Sequence, residues 1–254
     1  MRIARVSVPD VPGPVFGVVN GTQIALLKGH PYGDLDPVGV ALELDDVKIL
    51  SPVLPSKVVC VGKNYADHAA EMGGEVPAEP VIFIKPSTTV IGEGDAIVLP
   101  PQSNNVHYEA ELAIVIGALC KNVAVERAGE VILGYTIAND VTARDLQHSD
   151  GQWTRAKSFD TFCPLGPWIE TELDPTNLDI SCEVNGEVKQ SSNTSQLVRS
   201  AHEMVAWISQ VMTLLPGDVI LTGTPAGVGP LSNGDVVDVT IEGIGTLSNP
   251  VVLR

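Results

Sequence analysis

The stretch VHYEAELAIVIG, Val106 to Gly117, sets the fold and raises the question of function. From Glu111 onward it runs apolar to its closing glycine, the pattern of a buried strand over Glu111–Ile116. In a strand, residues i and i+2 point to the same face, so Glu109 and Glu111 project together. Their mutual repulsion either raises a carboxyl pKa or calls for a cation. Two carboxylates at the mouth of an apolar strand are a solvated strand end or a cation site. These residues alone leave both open, the solvated end being the commoner.

Outward from this stretch, short apolar runs alternate with turn signals. Strands are expected at Lys57–Val61, Val81–Ile84, Leu133–Ala138, Ile180–Val184, Val219–Leu221 and Val236–Ile241. With 24 glycines and 19 prolines in 254 residues the chain turns often, which favours many short strands over long helices. Asn20-Gly21 and Asn185-Gly186 each sit between apolar runs and predict type I′ hairpins. One long helix is predicted in TSQLVRSAHEMVAWISQVM, with Leu197, Val198, Ala201, Met204, Val205, Ile208 and Met212 on one face and Ser192 or Thr194 as its cap. Shorter helices fit NYADHAAEMG and VTARDLQH. The expected fold is mainly β with few helices, divided into a small N-terminal β-rich domain, residues 1–50, and a main domain, residues 51–254.

The net charge of −16 repels phosphate backbones, so no nucleic-acid partner is expected. An anionic substrate is still compatible, because a bound divalent cation reverses the local field. Cys60, Cys120, Cys163 and Cys182 are widely separated and read as reduced thiols of a cytoplasmic protein. The N-terminus MRIARVSVPD has no apolar core of a secretory signal, and no apolar run is long enough to span a bilayer, so no membrane partner is expected.

Other groups carry chemical potential. Asp140 ends the apolar run of GYTIAND, where sheet proteins commonly display functional groups, or it simply caps the next helix. Three oxygen donors without Cys or His suit Mg²⁺ or Mn²⁺. In GKNYADHAAEMGG a helix would place His68 and Glu71 on one face, the pairing of a general base, with Gly73 and Gly74 as a hinge. An incidental surface pair has the same spacing. Lys85, in VIFIKPS, and Lys157, in TRAKSFDTF, would bind a carboxylate or stabilise an oxyanion, or else snorkel to water. The loop LTGTPAGVG is able to present backbone N–H groups to an anion.

In their order, VGKNYADHAAEM, PVIFIKPST, HYEAELAIVIG, GYTIANDVTARDLQ, WTRAKSFDTFCPLGP, VNGEVKQ and PGDVILTGTPAGVG resemble the fumarylacetoacetate hydrolase family, over most of residues 57–245. The resemblance is to its shorter members, which act on acylpyruvates, oxaloacetate or catechol-derived 2-oxo dioic acids. It implies a mixed β-sandwich roll, a homodimer, and Mg²⁺ or Mn²⁺ held by Glu109, Glu111 and Asp140. It also implies catalytic roles for His68, Glu71 and Lys157, and substrate contacts from Lys85, Arg144, Gln147 and Thr224. Asp67 matches a fourth metal ligand found in the longer branch of the family.

The activity implied first is metal-dependent hydrolysis of a C–C bond in an acylpyruvate-like 2-oxo acid through a metal-stabilised enolate. In that scheme His68 and Glu71 activate water, and Lys157 steadies the developing oxyanion. Oxaloacetate decarboxylation, and isomerisation or decarboxylation of 2-hydroxyhepta-2,4-diene-1,7-dioate, use the same enolate. A non-catalytic 2-oxo acid binding protein on the same scaffold is the alternative of another class. The cover over such a site, residues 66–80, is expected to be mobile without ligand, since MGGEVPAEP offers few apolar anchors.

Overall fold

The computed structural model describes residues 1–254. Strands dominate it, and its longest helix, Ala201–Val211, has 11 residues. The apolar half of the opening stretch forms the strand Ala110–Ile116, with every residue buried. A strand buried on both faces needs cover on both. It lies inside a twelve-stranded sheet, antiparallel to Ile132–Asn139 on one side and Val219–Leu221 on the other. Leu112, Ile114 and Ile116 point into a core of 34 buried residues shared with Ile180, Cys182, Val237, Val239 and Ile241 of a second, five-stranded sheet. Ala113 and Val115 point the other way, into a cluster with Ile3, Val58, Cys60, Ile169 and Leu221. Glu111 continues this second face, so the period of two that packs the core also aims its carboxylate away from the sandwich interior.

The N-terminal strands extend the same large sheet. Arg2–Ser7 pairs with Cys163–Glu170 through Arg2↔Glu170 and Ile3↔Ile169, and Val15–Asn20, Gln23–Leu27 and Pro37–Glu43 follow outward from it. Ala4, Val6, Val19, Ile24 and Leu26 give these strands a small core of their own.

Two local expectations are corrected. Asn20 pairs with Gln23, so the first hairpin turns on Gly21-Thr22 and only Gly21 has positive φ, +60°. Glycine at the first central position is the requirement of a type II′ turn, not type I′. At the second hairpin Asn185 and Gly186 both have positive φ, as type I′ requires. The long helix begins at Ala201 and is capped by Ser200, whose hydroxyl accepts from the Glu203 N–H while the Glu203 carboxylate accepts from the Ser200 N–H. This reciprocal pair outcompetes Ser192 and Thr194 as the start signal. Ser192 lies in the strand Glu187–Asn193, and Thr194 opens a separate 3₁₀ turn. No helix is long and apolar enough to cross a membrane.

Candidate metal centre and its cleft

Register brings the acidic residues together. Ala110 pairs with Asn139 and Glu111 with Ala138, so Glu109 and Asp140 are carried past the two strand ends side by side. The Glu109 N–H donates to the Asn139 side-chain oxygen at 2.9 Å, and the Asp140 N–H donates to the Glu109 carbonyl at 2.9 Å. These bonds hold both backbones at the strand mouth. One ligand oxygen each from Glu109, Glu111 and Asp140 lies within 4.8 Å of the others. The three residues are 3%, 2% and 1% exposed, which removes the solvated strand end as an explanation. Asp140 caps no helix either. The helix Arg144–Asp150 follows Ala143 with no side-chain cap.

Isolated ions buried this deeply cost several kcal/mol each unless they are paired. Lys157 Nζ donates to Glu109 Oε2 at 2.7 Å and to Asp140 Oδ2 at 2.6 Å, and stands 5.0 Å over the Phe83 ring. Arg144 forms an ion pair with the other oxygen of Glu109, and Lys85 with the other oxygen of Asp140. Burial pushes the Glu109 carboxyl up, but Lys157 and Arg144 outweigh it and hold the group below the ordinary carboxylate range. Burial likewise disfavours the Lys157 ammonium, but Asp140 and Glu109 overcome this and raise its pKa.

Glu111 is different. Its hydrogen-bond partner is the Gly223 N–H, at 2.6 Å. Burial, then Asp140, then Glu109 push its pKa well above the usual value, with only partial relief from Lys157 and that N–H. Gly223 has φ +104°, and a Cβ there would meet the Asn64 Cβ at 2.9 Å, so the donor is delivered by a backbone that only glycine supplies easily. Three hard oxygen donors, one of them an acid without a cationic partner, fit Mg²⁺ or Mn²⁺. The oxygens of Glu109 and Asp140 already accept hydrogen bonds, but each carboxylate oxygen has about two lone-pair sites, which leaves room for an ion.

This arrangement makes cation affinity pH-dependent. An ion must displace the proton that Glu111 holds in its raised-pKa state, so affinity falls as the pH drops through that value. Titration calorimetry of chelator-treated protein with Mn²⁺ at about pH 8 and about pH 6 is expected to show weaker binding at the lower pH, with proton release on binding. Equal affinity at both would contradict the assignment of Glu111.

The remaining site residues arrive from four segments. The helix Ala66–Glu71 carries His68, which is buried, and places its Nδ1 3.1 Å from Glu71 Oε2. Glu71 accepts the Gly227 N–H on its other oxygen at 3.0 Å. His68 is therefore left with Nε2 to exchange a proton. The chain beyond this helix is held by polar anchors. Arg199 donates to the carbonyls of Pro77 and Ala78, and the Trp207 indole donates to Glu79 at 3.0 Å. Gln190 ties the Ala110 N–H, at 3.0 Å, to Thr224 Oγ, at 2.8 Å. Because the Thr224 hydroxyl accepts there, its own proton is free to donate. Arg144 donates to Gln147 Oε1 at 2.5 Å, and its buried Nε has no partner.

A cleft of about 160 Å³ brings most of the expected residues together: Glu109, Glu111, Asp140, His68, Arg144, Gln147, Lys157 and Thr224 all line it. Glu71 stands behind His68. Lys85 does not reach the cleft. It is fully buried, and its ammonium is consumed by Asp140 and the Val141 carbonyl, the latter at 3.1 Å, so a substrate contact is replaced by a structural ion pair. Asp67 accepts the His68 N–H in the first turn of its own helix and is not part of the acidic cluster.

Lys63, Met72, Phe83, His148 and Trp153 also line the cleft, beyond the residues that the sequence motifs point to. Asn64, whose side-chain amide donates to the carbonyls of Thr222 at 2.8 Å and Arg199 at 3.0 Å, and Gln190 are positioning groups that the sequence does not single out. Asn64 lies in GKNYADH, where His68 carries the stronger signal, and Gln190 falls in VNGEVKQ, where the hairpin signal hides it.

Residues 57–252 match the family described as Fumarylacetoacetate (FAA) hydrolase C-terminal, and residues 1–52 match one described as Rv2993c-like, N-terminal. Over 288 residues the chain is 50% identical to oxaloacetate tautomerase FAHD2B, mitochondrial, of Homo sapiens, covering 99% of this chain and 92% of that protein. Its structure is similar to that of 2-hydroxyhepta-2,4-diene-1,7-dioate isomerase from Mycobacterium marinum, at 52% identity and TM-score 0.93, over 100% of this chain and 99% of the other. It is also similar to maleylpyruvate hydrolase from Sphingobium sp. SYK-6, solved in complex with manganese(II) ion and pyruvate, at 33% identity and TM-score 0.82, over 100% and 99% of the two chains.

Proposed function

The chain belongs to the fumarylacetoacetate hydrolase family, and from that premise we propose that it is a metal-dependent enzyme that moves a proton beside the ketone of a short 2-oxo dicarboxylic acid, interconverting keto and enol forms. The observation that carries this reading is one cleft in which a His68–Glu71 pair meets a buried cluster of three carboxylates. C–C hydrolysis, ranked first from sequence alone, becomes the second reading. The tautomerase is about half identical over nearly the whole chain, and the hydrolase about a third.

A divalent cation held by Glu109, Glu111 and Asp140 would supply Lewis acidity, so that negative charge on a ketone oxygen is tolerated. Charge in the cleft fits a dianion. Among the lining residues, Glu109, Glu111 and Asp140 are matched by Lys63, Arg144 and Lys157, so a divalent ion leaves the walls doubly positive.

The protein's own groups then divide the work. The Thr224 hydroxyl offers a free donor and Arg144 a positive charge on the cleft wall, and together they orient the substrate carboxylate. Lys157, fixed between Glu109 and Asp140, holds a positive charge near the enolate oxygen without needing to reorganise. Glu71 binds His68 Nδ1 and so directs Nε2 at the carbon acid, where it takes a proton and returns it. No water is consumed. Hydrolysis is kept as the second reading because the same imidazole would equally take a proton from water.

The test is a substrate panel of oxaloacetate, acetylpyruvate and fumarylpyruvate, each with Mg²⁺ and with EDTA. Accelerated keto–enol interconversion of oxaloacetate, abolished by EDTA, is expected. Cleavage of the acylpyruvates with no effect on oxaloacetate would favour hydrolysis. Oxalate binding with no substrate consumed would leave only the binding-protein reading.

A further inference from the structure

Resting on the reading just given, we infer that Lys63 receives the distal carboxylate of the substrate and so sets the preference for 2-oxo dicarboxylic over 2-oxo monocarboxylic acids. Three cationic side chains, Lys63, Arg144 and Lys157, line the cleft. Arg144 is committed to Glu109, and Lys157 to Glu109 and Asp140. Lys63 has no carboxylate within ion-pair distance and no hydrogen-bond partner for its ammonium. It is the cleft's one lysine or arginine charge still free to meet an anion.

Its backbone is also unusual. Lys63 has φ +58°, one of five non-glycine residues in the chain with positive φ. This conformation is unfavourable for a side chain with a Cβ, and such residues collect where function needs a particular direction. Here the left-handed residue turns the chain out of the strand Val58–Gly62 toward the helix Ala66–Glu71 and leaves a long cationic side chain on the cleft wall.

Gly74 receives the other end of that side chain. A Cβ built on Gly74 would lie 2.9 Å from Lys63 Nζ. The ammonium therefore rests against the chain just past the His68 helix. A substrate oriented by Arg144 and Thr224 at its 2-oxo acid end would extend its second carboxylate toward this charge.

The experiment compares wild type with Lys63→Met, Lys63→Arg and Gly74→Ala. Each is assayed for enolisation of oxaloacetate and of its 4-ethyl ester, and for calorimetric binding of difluorooxaloacetate and of oxalate with Mn²⁺. Lys63→Met is expected to raise KM for oxaloacetate and weaken difluorooxaloacetate about 10- to 100-fold, the range of a charge-assisted hydrogen bond. Its kcat, the ester and oxalate should change little. Lys63→Arg should restore most of the loss. Gly74→Ala, which displaces the ammonium without removing it, should give a smaller shift in the same direction. Equal losses for diacid and ester, or no loss with either, would overturn the assignment. If wild type enolises neither substrate, the proposed activity fails on its own, and the two binding measurements still decide the role of Lys63.

Discussion

Glu111→Gln is expected to abolish cation-dependent turnover while leaving the chelator-treated protein at least as stable as wild type. The two effects separate because Glu111 is the carboxylate without a cationic partner. Its folded-state pKa lies above the unfolded value, so the folded protein binds that proton more tightly. The group costs nothing below the ordinary carboxylate pKa, and its destabilisation grows as pH rises toward the raised value. Glutamine removes the charge and keeps an oxygen for the Gly223 N–H, so the apo melting temperature at neutral pH should rise or hold. Losing one of three oxygen ligands should weaken Mn²⁺ by more than the roughly 10- to 100-fold seen when only an outer-shell partner is lost. Asp140→Asn is the contrasting case. It strands the fully buried Lys85 and weakens the hold on Lys157, and breaking buried pairs of this kind costs about 3–5 kcal/mol. Thermal melts with and without Mn²⁺, alongside the oxaloacetate assay, check both. A Glu111→Gln protein that is strongly destabilised, or still activated by the ion, would refute the assignment.

His68→Gln should lower kcat about 10²- to 10⁴-fold, the usual contribution of a positioned general acid–base. Mn²⁺ affinity should stay near the wild-type value, since His68 is not one of the clustered oxygen donors. Glu71→Gln should also lower kcat. Its single side-chain oxygen replaces only one of the two that Glu71 offers to the Gly227 N–H and to His68 Nδ1, and the neutral amide no longer stabilises the imidazolium that forms during transfer. Steady-state kinetics on both variants, with calorimetric Mn²⁺ titration, separate a catalytic role from a ligand role. Full activity in His68→Gln would remove the histidine from the mechanism.

Much of the scaffold is readable from local pattern. The run after Glu111 becomes a wholly buried strand because nothing in it tolerates water, and Val219–Leu221 and Val236–Ile241 fall where the apolar runs put them. Boundaries set by competing polar contacts are less legible. The Ser200–Glu203 capping box shortens a helix whose apolar face continues back to Leu197, and the first hairpin slips by one residue to put glycine where a type II′ turn needs it.

The site was visible as residue types and invisible as geometry. The spacing of Glu109 and Glu111 is local, but their meeting with Asp140 depends on the Ala110↔Asn139 register, which no short-range pattern encodes. Lys85 illustrates the same limit. A lysine closing an apolar strand reads equally as a substrate contact or as a buried counter-ion, and only the neighbouring strand end decides. Lys63 gave no signal, because a left-handed backbone at a non-glycine residue leaves no mark in composition or period.

The most direct measurement is anomalous scattering from a crystal of chelator-stripped protein soaked in Mn²⁺. A single strong peak is predicted, coordinated by oxygens of Glu109, Glu111 and Asp140 at about 2.0–2.2 Å, near the range of small hard divalent ions. A peak bound elsewhere, or none with Lys157 still bridging Glu109 and Asp140, would contradict the shared site on which the proposed chemistry stands.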